Sequence, residues 1–208
     1  MLAADAHLRR ADPVLAHLID DFGGPLTTGP DSRGRPDNLY GALVRTIAGQ
    51  QLSVKAARAI YLRLEARFEG RTPTPEEILA DDPEALRAAA GFSRAKVAYL
   101  RSLAVHVLDG SLELERLDEL PDEAVVSELT AVKGLGEWSA HMFLMFTLHR
   151  PDVLPVGDLG VRNAMRDAYG LAQAPKPADL LAIAEPWRPY RTRACLYLWR
   201  SLDNEPAV

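Results

Sequence analysis

Residues 132–146 read VKGLGEWSAHMFLMF. Two glycines, one residue apart, stand directly before a long apolar run. Each costs about 0.5–1 kcal/mol relative to alanine inside a regular element. A buried helix has no use for them, but a tight corner between two helices does. Glycines at 134 and 136 allow positive φ and close backbone approach, and the helix that follows opens with N–H groups lacking intrahelical acceptors. Together these make a concavity suited to an anion such as phosphate. The competing reading is a plain helix–turn–helix corner whose glycines only relieve crowding.

The sequence around the corner is helical on both sides. Upstream, Pro121 and Asp122 start DEAVVSELTAV; downstream a helix runs from near Glu137 to Leu148, placing a helix-hairpin-helix at about 122–148. Further out, LYGALVRTIAG sets Leu39, Leu43 and Ile47 on one stripe, and SVKAARAIYLRLEARF repeats apolar residues at three- and four-residue steps. Thr74, Pro75 and Glu77 form a capping box with proline at the first helical position. Asp82 with Pro83 repeats that logic, and Ser93 caps a helix that Gly110 ends. Helices near 160–169, 177–185 and 189–203 follow. No convincing period-two alternation occurs, so the fold class is all-α.

The breaks are modest. Residues 23–38, rich in Gly and Pro, separate the first helix from the main run, and 150–158 is the second break. We expect two helical subdomains with a cleft between them: 38–150, carrying the hairpin, and 1–37 plus 151–208, formed by both chain ends.

Composition narrows the function classes. The chain is 48% hydrophobic and 25% charged, enough for a sizeable core. Its apolar runs are too short to span a membrane, and no basic start precedes an apolar stretch as in a secretory signal. The single cysteine, Cys195, excludes an internal disulfide framework and a four-cysteine iron–sulfur cluster. A cytoplasmic monomer is the expectation. The net charge of −5 argues mildly against nucleic acid. Its distribution says more: Arg188, Arg191, Arg193 and Arg200 stand in a segment free of acids, and with Arg162 and Arg166 they are candidate phosphate neighbours.

The pattern helix–VKGLGEWSA–apolar helix–LPVGDLGVR resembles the helix-hairpin-helix DNA glycosylase superfamily, with Asp158 at the expected 20 residues after Trp138. IAGQQLSVKAA (47–57), GFSRAKVAYL (91–100) and WRPYRTRACLYLW (187–199) resemble the 3-methyladenine DNA glycosylase II branch, in its compact form without an N-terminal β-rich domain. The likeness covers roughly residues 38–203. Bifunctional members carry a lysine where Trp138 stands, and an aromatic of some relatives is replaced by Met142.

The resemblance implies a monofunctional glycosylase of base excision repair that acts on double-stranded DNA containing alkylated bases. A stacked base cannot be cut from its sugar, so the nucleotide must be everted and the gap filled. Lys133, Gly134, Gly136 and Ser139 are the candidate backbone clamp. Gln51, with Leu52 beside it, is the candidate wedge; the plainer reading is that Gln50 and Gln51 cap a turn. Trp138, Met142 and Trp199 are the candidate base pocket, where an aromatic face favours a cationic alkylated base over a neutral one. The plainer reading of the tryptophans is core packing, which Trp187 and Tyr190 are expected to do. Asp158 is the candidate catalytic carboxylate, and its position before LGVRNAM also fits a helix N-cap. No cofactor is expected beyond a structural sodium or potassium ion on hairpin carbonyls, which the resemblance implies. Two rival readings are a helix-hairpin-helix DNA-binding protein without catalysis, and an all-helical interaction protein that never meets DNA.

Overall fold

Helix caps and apolar stripes set the elements, and a computed structural model describes residues 3–23 and 38–202. The helices are α1 (Ala3–Ala11), α2 (Pro13–Phe22), α3 (Leu39–Gly49), α4 (Val54–Arg67), α5 (Pro75–Ala80) and α6 (Pro83–Ala90). They continue as α7 (Arg94–Leu108), α8 (Asp122–Ala131), α9 (Glu137–Phe146), α10 (Leu159–Ala168), α11 (Pro177–Ala184) and α12 (Arg191–Ser201). No strand occurs among the described residues, so the fold is all-α. The Gly/Pro-rich break lies almost wholly outside the described residues, at 24–37.

The starts follow the local grammar. The Thr74 hydroxyl accepts from Glu77 N at 3.3 Å and the Glu77 carboxylate from Thr74 N at 2.8 Å, completing the capping box. Asp82 and Ser93 cap α6 and α7 through their side chains, and Gly110 takes φ +78 just beyond α7. The end of α9 comes sooner than the apolar run suggests, at Phe146.

Contacts divide the chain into two units, with the division inside α9 after Phe143. In one unit, 38–143, α3 packs on α4 and α7, α4 on α6, and α5 on α7. Leu43, Val44, Ile47, Leu64, Leu86 and Leu100 are its buried stripe.

The other unit joins 3–23 to 144–202; α2 packs on α1 and α12, and α10 on α12. Two buried carboxylates organise it. Asp12 caps α2 by accepting from Val14 N at 2.8 Å, while its second oxygen accepts the Tyr169 hydroxyl and, at 2.8 Å, Trp187 Nε1. Asp5 takes Arg193 Nε at 2.5 Å and the Tyr197 hydroxyl at 2.9 Å. Burial alone would raise the Asp5 pKa, but the bonds from Arg193 and Tyr197 and the arginine charge outweigh it and hold the carboxyl below its usual range.

Candidate active site

The corner between α8 and α9 is closed by Val132 N on the Leu129 carbonyl at 3.2 Å and Leu135 N on the Val132 carbonyl at 3.0 Å. Gly134 sits at φ +96, and a Cβ there would lie 2.1 Å from Cγ of Tyr99. Both the conformation and the ring require glycine. Gly136 differs. Its φ is outside the left-handed region and a Cβ would meet nothing within 4 Å, so crowding explains only the first glycine. The Gly136 carbonyl accepts from Ala140 N at 3.0 Å and opens α9. Gly136 and Lys133 are exposed and Ser139 is buried, so the helix start is open on the glycine side.

The turn after α3 lies against this corner. Leu52 N bonds the Gly49 carbonyl at 3.2 Å, with Gln50 at φ −50, ψ 134 and Gln51 at φ +59. That is a type II β-turn, whose third position favours glycine or asparagine. A glutamine there costs about 1–3 kcal/mol. Gln51 is exposed and Leu52 half-buried. Gln50 Nε2 donates to the Gly134 carbonyl at 2.7 Å, and Lys96 Nζ to the Ala48 carbonyl at 2.7 Å. Burial pushes the Lys96 pKa down. The candidate wedge and candidate clamp are therefore neighbours within one unit.

Asp158 occupies the N-cap of α10 in the other unit. Its Oδ1 accepts from Val161 N at 2.7 Å and from Trp199 Nε1 at 2.9 Å, and the residue is 9% exposed. Gly160 lets the indole come that close: a Cβ there would lie 3.0 Å from both Asp158 Oδ1 and Trp199 Nε1. The ring of Phe146 lies 6.1 Å from that of Trp199. Leu159, next to the carboxylate, is 64% exposed. Burial, then the charge of Asp158, pushes the Cys195 thiol up, so it stays protonated and unreactive.

The loop before Asp158 is clamped onto the start of α12. Thr192 Oγ1 donates to the Arg150 carbonyl at 2.7 Å and accepts from Val153 N at 3.0 Å. Asp152 binds Arg191 Nε at 2.7 Å and Arg188 at 2.7 Å. Arg193 holds Asp5 and Arg200 bonds the Phe22 carbonyl; Arg162 bonds the Pro175 carbonyl and Arg166 pairs with Asp167. All six arginines read as phosphate neighbours thus have partners within the protein, while the side chains of Arg166 and Arg188 stay exposed. Arg166 has its partner next to it in sequence; the acceptors of Arg162, Arg191, Arg193 and Arg200 lie far off in sequence or on backbone carbonyls, where composition gives no sign of them.

Trp138 is 37% exposed near the start of α9, and Met142, one turn on, is buried at 1%. Trp199 is buried at 3%, and Trp187 is fully buried against Asp12. His141 is half-buried, with Nε2 4.0 Å from Glu137; burial lowers its pKa, so the ring is neutral at pH 7. Among the described residues no group of three or more His, Cys, Asp or Glu could hold a metal. A hard monovalent cation takes oxygen ligands, and the hairpin offers backbone carbonyls, so the donors fit the ion the resemblance implies. Gln50 already donates to the Gly134 carbonyl, so such an ion would rest on the other hairpin carbonyls and brace the turn.

A helix-hairpin-helix and a capped aspartate 20 residues beyond Trp138 define a class, and the chain belongs to it: residues 44–189 match the family of HhH-GPD superfamily base excision DNA repair proteins. Its relatives include DNA-3-methyladenine glycosylases. It is 40% identical over 200 residues to DNA-3-methyladenine glycosylase 1 of Schizosaccharomyces pombe, covering 95% of this chain and 86% of that protein. The solved 3-methyladenine DNA glycosylase of S. pombe in complex with abasic DNA superposes with a TM-score of 0.85 at 35% identity, covering 97% of each chain. A Bacillus halodurans DNA-3-methyladenine glycosidase gives 0.81 at 38% identity, covering 96% of this chain and 89% of that one.

Proposed function

We propose that the chain is a monofunctional DNA glycosylase that everts alkylated purines from double-stranded DNA and hydrolyses the N-glycosidic bond, leaving an abasic site. It acts as a cytoplasmic monomer on chromosomal DNA; no helix among the described residues is long and apolar enough to cross a membrane. The likeness to 3-methyladenine glycosylases over nearly the whole chain supports the substrate class. The observation that carries the chemistry is Asp158, fixed at a helix start and hydrogen-bonded by the Trp199 indole.

The bond between C1′ and the base nitrogen breaks with its electron pair going to the base. A base made cationic by alkylation leaves neutral, so no acid is needed to protonate it. Positive charge builds on the deoxyribose, and a held carboxylate lowers the energy of that state. Water then adds at C1′ and gives up a proton, for which Asp158 is the acceptor. Trp138 stands where bifunctional relatives carry lysine, so no Schiff base forms and the strand stays intact. Trp138, Met142 and Trp199 enter this reading as the base-pocket residues, an aromatic face attracting the cationic ring. Gly134, Gly136, Ser139 and Lys133 clamp the backbone, and Gln51 with Leu52 fills the vacated stack.

Asp158→Asn is the decisive variant. Asparagine still caps a helix, so the fold and duplex binding should survive. Release of methylated bases from alkylated DNA should fall by at least about 10²-fold, the loss typical of one electrostatic stabiliser. Retained release would remove Asp158 from catalysis. No release even by the natural chain would favour the non-catalytic DNA-binding reading.

A further inference from the structure

The exposed side chain of Gln51 stands on strained backbone at φ +59. Glycine would satisfy the third position of this turn without strain. The chain keeps a long polar side chain there instead, and its exposure rules out packing as the reason. Strain of this kind persists only where the surroundings over-determine the conformation. Those surroundings are visible. Lys96 Nζ ties down the carbonyl of Ala48 before the turn, Leu52 N closes it, and Gln50 Nε2 reaches across to the Gly134 carbonyl, 84 residues away in sequence. That acceptor is itself immobile, because Gly134 is wedged against the Tyr99 ring.

We infer that Gln50 is a positioning residue whose side-chain amide joins the turn bearing Gln51 to the hairpin, so that wedge and backbone clamp meet the duplex as one rigid piece. The inference rests on the proposed roles of Gln51 and of the hairpin. Phosphate contacts fix the register of the protein on the strand. A wedge tied to them enters the stack at a set depth; a wedge on a loose turn lets the duplex close again over the everted nucleotide. Gln50 does this without touching DNA.

Two variants break the tie: Gln50→Met, of similar length but without a donor, and Gln50→Asn, one methylene short of the carbonyl. Each is made alone and combined with Gln51→Ala. Binding to undamaged duplex and single-turnover release of methylated base from alkylated duplex are measured. The expected result is binding within about twofold of the natural chain and release about tenfold slower, with no further slowing when either variant is added to Gln51→Ala. Should Gln50→Met fail to fold, Gln50→Asn, which keeps a polar side chain, carries the test. Natural release rates in both Gln50 variants beside a slow Gln51→Ala overturn the inference and leave the wedge standing. Additive losses, or equal losses in plain-duplex binding and release, also overturn it. A Gln51→Ala variant as fast as the natural chain overturns the wedge itself, and the inference with it.

Discussion

A carboxylate that caps a helix and, on the proposed mechanism, faces a reacting sugar has to be kept from turning. At Asp158 the Val161 amide and the Trp199 indole grip the same oxygen, at 2.7 and 2.9 Å. Gly160 makes the second grip possible, since a methyl there would press on oxygen and indole together at 3.0 Å. Gly160→Ala should therefore separate stability from activity. Alanine gains up to about 1 kcal/mol in a helix, which offsets part of the crowding, so thermal unfolding should shift little. Base release should fall about tenfold or more, because the indole is displaced. An alanine variant with natural activity would show that the indole contact does not matter. The capping role of Asp158 was legible, because cap grammar is local. Gly160 was not: its need arises from a ring 41 residues beyond Asp158. Gln50 hid for the same reason.

At the scale of elements, caps announce where helices start, and Thr74, Asp82 and Ser93 were readable in the sequence for that reason. What a helix holds in place is less visible. The first turn of α12 carries Arg191 and Thr192, which pin the loop leading to Asp158, and its last turn carries the indole that meets Asp158. One helix thus sets both ends of that loop. Read as a basic stripe, its arginines suggested phosphate; the structure gives them Asp152 and Asp5. Thr192→Val keeps the shape but removes the hydroxyl donor to the Arg150 carbonyl and the acceptor of the buried Val153 amide. The cost should be about 1–3 kcal/mol, read as a lower urea midpoint. Loss of base release should exceed what that destabilisation explains. An unchanged midpoint would mean the loop is held elsewhere.

For the whole molecule, the buried ion pair of Asp5 with Arg193 links stability to pH. The folded pKa of Asp5 lies below its ordinary 3.8. A depressed carboxyl contributes stability that is fully present above the unfolded value and disappears as pH falls through the folded one. Urea midpoints measured from pH 7 to pH 2 should therefore drop in the acid range, and Asp5→Asn should start lower at pH 7 and drop less steeply. An equally steep acid limb in that variant would assign the effect to other carboxyls. The helical class was readable throughout because periodicity is a property of the chain alone. The partners of the buried carboxylates were not, since Asp5 and Arg193 stand 188 residues apart.

That separation has a consequence for the order of assembly. The ribosome delivers α1 and α2 well before Tyr169, Trp187, Arg193 and Tyr197, which bond Asp12 and Asp5. Nascent chains must therefore carry those acids without these partners until α12 has been made, and contacts so distant in sequence form late. A chain begun at residue 38 would contain Asp158, Trp199 and every other candidate site residue, while depriving Arg193 and Tyr197 on α12 of the Asp5 carboxylate.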